Sequence, residues 1–442
     1  MNNKILIIDP KRSVNYRISK DTSGGYGTGN NFGNSIVPKI LKNLLKRYSD
    51  WPPLFAAYTF SVLKELGHQV TYSENLNIDL DKFDFFIIVS SIVCCETELE
   101  IIKKLKNKNK KIFAIGPFAV NMPDLYINAG AVVVMGEPEF FFLKKQDLKE
   151  EVEKKKIYFD NNFILDDLPF PKWDLMIKNL KNTNKLFGNH KSVPILGTRG
   201  CPYSCSRYCV YPLQQGKLVR QRNPKFIVDE IQHWKEKHGV SMFIFRDPVF
   251  SINKKHTIEF CNELINRNLN IRFVIETHLR ILDKELIFLL KKAGVKGVKV
   301  GIESSDVDIL KKESRYTVTR DEQLEKIREI ENLNIQVSAM FIIGFPSDTH
   351  QSIKKTIEYA KLLNTFYAQF SVWTPYPGTP VFNDYKDKIF VKDYENFDQY
   401  KLVYKHNIFS ELEIKKYLND AYSKYYSRLS WLYKYTKGYL FT

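Results

Sequence analysis

Short apolar runs recur along this chain, and a helical stretch follows most of them. The first set runs Lys4–Ile8, Gln69–Tyr72, Phe85–Val89, Lys111–Ile115 and Ala131–Met135. The second runs Val193–Leu196, Ser241–Phe245, Arg272–Ile275, Gly297–Gly301, Gln336–Ile343 and Ala368–Trp373. Runs of this length without polar alternation fit strands buried on both faces. Between them lie helical patterns such as PPLFAAYTFSVLKELG at 52–67, with proline at its start and glycine at its end, and the segments 224–238 and 320–333. Strands alternating with helices demand parallel sheets, so the chain is read as α/β.

At 442 residues the chain exceeds one ordinary core. The expected plan is a doubly wound parallel sheet at 1–145, a linker at 146–192, a partial (β/α)6 barrel at 193–382 and a helical extension at 383–442. Pro169 and Pro171 stiffen the linker around Phe170. A glycine-rich segment, SGGYGTGNNFGN at 23–34, lacks the Gly-Lys-Ser/Thr ending of a phosphate loop. A loop of this length is read as functional or mobile. The tail carries aromatics at helical spacing with Lys and Arg between them, which reads first as an amphipathic helix packed on the barrel. A membrane-surface contact or a substrate lid is the sharper alternative.

In both sheet types ligands gather at the carboxyl ends of the strands. In the first unit those ends carry Asp9, Ser90, Gly116, Gly136 and Glu137. In the second they carry a cysteine loop, then Asp247, then Glu276 and His278, then Glu303 in GIESS, then Ile343 and Gly344, then Tyr376 in TPYPGTP. The cysteine loop is GTRGCPYSCSRYC, with Cys201, Cys205 and Cys209, half of the six cysteines in the chain. Gathered thiolates suit zinc or an iron–sulfur cluster. Structural zinc takes four protein ligands, and no fourth stands at finger-like spacing; His190 lies upstream of the loop. Three buried thiols without a metal are the remaining reading. Cys94 and Cys95 read as core or loop residues.

The cysteine loop, GIES, FIIGFP and PYPGT, in this order, resemble the radical S-adenosylmethionine (SAM) partial barrel over about half of the chain. The family spacing is Cys, three residues, Cys, two residues, Cys. Here three residues separate Cys205 from Cys209, one more than that pattern. The PP-helix ending in LKELGHQV and the strand ending in GEPE resemble the cobalamin (B12)-binding domain that precedes this barrel in one large subgroup. The resemblance implies a [4Fe-4S] cluster on Cys201, Cys205 and Cys209. It implies SAM against Tyr208, Glu303, Ile343 and Gly344, and cobalamin against Asp9, Ser90, Gly116, Gly136 and Glu137. Asp247, Glu276, His278 and Tyr376 are the candidate substrate contacts; no catalytic residue is named. The histidine motif for cobalt ligation is missing after Asp9.

The implied activity is cleavage of SAM to a 5′-deoxyadenosyl radical and methyl transfer to an unactivated carbon. Ring closure or rearrangement is the alternative within the family. The implied partners are a small-molecule or peptide substrate and an electron donor such as flavodoxin or ferredoxin. Two other readings compete. A tRNA-modifying methylthiotransferase would suit the net charge of +17. It would also need a second cysteine triad in the first unit, where only Cys94 and Cys95 stand. A zinc-stabilised binding protein would need no catalysis. Lys and Asn are heavily used throughout, as in KNKNKK at 106–111, which explains the charge without nucleic acid. There is no run of bilayer-spanning length and no signal-peptide pattern, and the clustered cysteines fit a reducing compartment. A cytoplasmic location is the expectation.

Overall fold

Ile5 to Ile8 and Phe86 to Val89 are completely buried. Such strands belong at the centre of a parallel sheet. The computed structural model describes residues 2–46, 51–145, 148–158, 163–177, 180, 182–184 and 190–440. In it β1 (Lys4–Ile8), β2 (Gln69–Ser73), β3 (Phe85–Val89), β4 (Lys111–Ile115), β5 (Val132–Met135) and β6 (Lys156–Tyr158) form one all-parallel sheet. Its order is β2-β1-β3-β4-β5-β6. β6 falls inside the stretch read as linker, so that stretch extends the first sheet by one edge strand.

The second sheet consists of β7 (Asn182–Asn184), β8 (His190–Ile195), β9 (Met242–Phe245), β10 (Arg272–Thr277), β11 (Val295–Glu303), β12 (Gln336–Ile343) and β13 (Tyr367–Val372). They lie in chain order from β7 to β13. All pairs are parallel except β7 against β8. Six parallel strands with helices between them make the expected half-barrel; the antiparallel β7 was not foreseen.

The connection between the sheets is anchored on both sides. Lys172 N–H donates to Ser61 Oγ at 2.8 Å, on the helix Leu54–Glu65 of the first unit. Asp166 accepts from Asn223 N–H at 2.9 Å, and Phe170 packs on Phe226 at 5.0 Å, both in the second unit. Trp173 is completely buried in an apolar cluster that runs without a break from β1 to β13.

The glycine-rich segment is folded. Ile18–Ser19 pairs with Thr28–Gly29 in a small antiparallel hairpin that lies over the ends of β1 and β3. Lys20 drops from it into the sheet, where its ammonium meets Glu98 at 2.8 Å, Asp9 at 3.1 Å and the Val89 carbonyl at 2.9 Å. Tyr26 donates to the Pro377 carbonyl at 2.7 Å, tying the hairpin to the far end of the barrel.

At the open flank of the half-barrel a helix, Glu411–Tyr426, lies along β13. Its start is fixed by a capping box between Ser410 and Glu413. The Tyr422 hydroxyl accepts from Phe370 N–H at 3.0 Å and donates to the Phe370 carbonyl at 2.8 Å. Tyr426 does the same for Ala368, at 3.1 and 2.7 Å. The tail is therefore packed on the barrel, the first of its three readings. No helix among the described residues is long and apolar enough to cross a membrane.

Candidate active site

The cysteine loop begins where β8 ends. Asp247, completely buried at the end of β9, accepts from Gly197 N–H at 3.0 Å and fixes the base of the loop. Burial pushes its carboxyl up to about 7. Asp247 thus secures the loop, the second of the two roles its position allows, a substrate contact or a loop cap. The extra residue between Cys205 and Cys209 is absorbed by a single helical turn: Cys209 N–H donates to the Cys205 carbonyl at 3.1 Å. Residues four apart on a turn are neighbours. Cys205 is drawn down to about 6, first by the neighbouring Cys209 thiol and then by Arg315, while Cys209 is pushed up. Cys201 lies close enough to interact electrostatically with both.

Among the described residues no three Cys, His, Asp or Glu side chains converge as ligands of one ion. Three thiolates that each take a different iron of a cube need not converge on one point. The donor set suits such a cluster, which leaves one iron open for a small molecule.

Arg315 joins the loop to β11. Its guanidinium lies 3.8 Å from Cys205 Sγ, donates to the Gly301 carbonyl at 3.0 Å and stands 3.4 Å from Glu303 Oε1. Its Nε is buried with no partner among the described residues. Glu303 holds φ +63°, a left-handed conformation rare outside glycine and often found where a site holds strain. Burial raises its carboxyl to about 7 despite Arg315. Tyr208 lies beside Glu303, Arg315 and Cys205, with its ring 6.1 Å from Phe345. Ile343 ends β12, and the Gly344 carbonyl accepts from Tyr404 at 2.9 Å. Sequence reasoning missed Arg315: it is one of 67 basic residues and carries no motif of its own.

Between the two sheets lies a cleft. One wall is Phe55, Gly116, Pro117, Gly136 and Glu137; the other is Arg199 and the stretch Tyr211 to Gln215 that follows Cys209. Gly25 and Gly116 show why glycine is required here. A Cβ on Gly25 would stand 2.9 Å from Pro117, and one on Gly116 would stand 2.7 Å from the Phe55 ring. Glu137 bridges the walls, at 3.0 Å from Arg199 and 3.0 Å from Arg220. Burial would raise its carboxyl, but the two guanidiniums hold it low.

Asp9 and Ser90 do not line this cleft. Asp9 is committed to Lys20 and to the Tyr72 hydroxyl at 2.6 Å, and Ser90 Oγ accepts from Ala119 N–H at 3.0 Å. The hairpin at 18–29 covers both strand ends. His278 is also structural. Its Nδ1 accepts from Arg280 N–H at 3.1 Å, so its Nε2 donates to the Tyr316 carbonyl at 2.9 Å. Burial and nearby Arg315 hold it down to about 4, neutral near pH 7. Tyr376 is packed edge-on against Tyr26 at 5.5 Å, and its carbonyl accepts from Thr379. Glu276 lies near Arg246 and Tyr211, two residues that line the cleft.

Comparison with known proteins gives this arrangement its class. Residues 195–360 match the family described as the Radical SAM superfamily. The stretch from the end of β8 through β12 thus carries a radical SAM domain. Its wider architecture narrows the class. An uncharacterized methyltransferase of Pyrococcus horikoshii is 27% identical over 85% of this chain and 88% of its own length. An anaerobic magnesium-protoporphyrin IX monomethyl ester cyclase of Cereibacter sphaeroides is 31% identical over 58% of this chain, but over only 42% of its own length. The radical SAM methyltransferase TsrM of Kitasatospora setae, solved with cobalamin and a [4Fe-4S] cluster, superposes with a TM-score of 0.62 at 15% identity. The match covers 88% of this chain and 78% of that one. The two-sheet fold is therefore shared with that enzyme over most of both chains.

Proposed function

We propose that this protein is a cobalamin-dependent radical SAM methyltransferase acting on an unactivated carbon. One observation carries the reading. The stretch 211–215, which continues directly from Cys209, forms one wall of the cleft, and the glycine turns after β4 and β5 form the other. A flat macrocycle lying on Gly116 and Gly136 would face the cysteine loop across that cleft. When bound, the cluster supplies the electron that opens a carbon–sulfur bond of SAM, and cobalamin supplies a methyl carrier.

The chain's own groups divide the remaining work. Cys201, Cys205 and Cys209 would hold the cluster. Glu303 accepts from ribose hydroxyls, Gly344 admits adenine close to the backbone, and Tyr208 packs beside it. Arg315 offers its unpartnered Nε toward this region. Gly116, Gly136 and Glu137 would cradle the corrin; no histidine lines the cleft. His68, the one histidine of the first unit, accepts from Asn3 N–H at the amino end of β1, the edge away from the cleft. The electron donor is of the flavodoxin or ferredoxin kind, and the setting is cytoplasmic.

The test is anaerobic reconstitution with iron, sulfide and cob(II)alamin, then turnover with labelled SAM and a low-potential reductant such as reduced flavodoxin. The electron-resonance spectrum is expected without nitrogen hyperfine splitting, and the deuterated methyl of labelled SAM is expected on cobalamin by mass spectrometry. Nitrogen splitting would refute the absence of a histidine ligand. No cobalamin binding at micromolar concentration would remove methyl transfer. SAM cleavage without label transfer would favour the ring-closure chemistry instead.

A further inference from the structure

β11 places alternate residues on opposite faces. Val298, Val300 and Ile302 are buried, while Lys299, Gly301 and Glu303 share the other face, which is partly open. Lys299 therefore stands on the same side as Glu303, four residues deeper along the strand. Its register neighbour on β10 is Glu276. The charged groups around it are Arg246, Glu276, Asp21 and Arg17. Asp21 and Arg246 line the cleft, and Lys299 stands behind them on the same face of β11 as Glu303.

The charges there are unevenly matched. Asp21 is already engaged by Arg246, whose Nε donates to it at 2.6 Å. Glu276 stands opposite Lys299 in register, and no ion pair joins the two among the described residues. The Lys299 ammonium has no hydrogen bond or ion pair among the described residues. Burial and the neighbouring Arg246 push it down to about 8. Lys20 shows what a purely structural lysine looks like in this molecule, with two carboxylates and a carbonyl on its ammonium. Lys299 is part-buried, and holding a cation there without a partner carries a cost. An arriving anion would remove that cost.

We infer that Lys299 receives an anionic group of the substrate, a carboxylate or a phosphate, presented down the cleft. This rests on the reading of the cleft as the reaction chamber. A substrate held there by its charged end would keep its reacting carbon nearer the cysteine loop, on the Glu303 side. The ammonium suits this task because it is a compact point charge with three donors and no fixed fork. A neutral substrate would leave it as unpaired as it is now.

The test is trace acetylation of the full-length, cluster-reconstituted protein with acetic anhydride, read at each lysine by peptide mass spectrometry. The probes are sodium benzoate and inorganic phosphate, with neutral benzamide as control. An anion on the ammonium raises its pKa by about one unit, so free amine at neutral pH falls about tenfold. Saturable protection of Lys299 by either anion is expected, with the exposed Lys103 unchanged. Protection by benzoate alone marks a carboxylate substrate, and protection by phosphate alone marks a phosphorylated one. Labelling unaffected by both anions, or equal protection by benzamide, would overturn the assignment. The measurement does not depend on SAM cleavage. Failure of SAM cleavage would therefore count against the proposed function while leaving the anion result standing.

Discussion

Two buried ion clusters sit at the carboxyl ends of the two sheets, and they differ in how completely they are satisfied. In the first, Lys20 has Asp9, Glu98 and the Val89 carbonyl. Glu98 in turn accepts from Ser91 N–H, the Ser91 hydroxyl and Tyr126. In the second, Arg315 stands 3.4 Å from Glu303 and 3.8 Å from Cys205, with Nε unpartnered. A closed network rigidifies; an open one retains capacity for a ligand. The first cluster seals the edge where cobalamin was expected to touch Asp9 and Ser90. The second leaves room where SAM is proposed to bind.

The largest effect should come from the thiolates beside the open cluster. Replacing Cys201, Cys205 or Cys209 with alanine should reduce both bound iron and 5′-deoxyadenosine formation to background, by iron analysis and chromatography. Full activity in Cys209→Ala would show that the helical turn does not restore the third ligand. Next comes the closed cluster. Lys20→Met leaves Asp9 and Glu98 buried without their cation, which should cost about 3–5 kcal/mol. Calorimetry should register a melting point lower by about 3–5 degrees; an unchanged one would mean that the cluster is not the seal described.

Glu303→Gln should act on binding instead of stability. A charge-assisted hydrogen bond is worth about 1.5–3 kcal/mol, so SAM affinity should fall about ten- to a hundredfold in titration calorimetry. A stability loss with unchanged affinity would make the two clusters alike. The smallest effect is a slope. The folded carboxyl of Asp247 is raised to about 7, so the folded state keeps a proton that the unfolded chain releases near pH 4. Its stabilising contribution is complete below pH 4 and is lost as pH rises through about 7. Asp247→Asn should remove up to one proton's worth of that dependence, about 1.4 kcal/mol per pH unit. Urea midpoints at pH 5 and pH 8 measure it, and identical slopes would remove Asp247 as the source.

The strands were legible because their apolar runs are bounded by turn residues, buried on both faces in the first sheet and on one face in the later strands of the second. The cysteine loop and the glycine turns Gly116 and Gly136 were legible because each follows an apolar run directly. The hairpin at 18–29 was not, since a glycine-rich segment carries no periodicity to say where it folds back. That single gap misplaced Asp9 and Ser90. Lys20, Lys299 and Arg315 were hidden for another reason. A buried cation is spelled like a surface one, and its partners lie far away in the chain. Asp247 and His278 stood at the right ends of the right strands, yet their hydrogen bonds go to the backbone, which sequence position does not reveal.

A half-barrel has one strand whose outer backbone groups meet no neighbouring strand. In this chain Tyr422 and Tyr426 occupy those groups, each phenol serving one residue's N–H and carbonyl together. Two hydroxyls on a helix thereby stand in for the next strand. Without them Ala368 and Phe370 would offer a template to any extended segment, including another copy's. The tail is in this sense a guard against self-association, and phenylalanine at both positions would keep its apolar packing while reopening the edge.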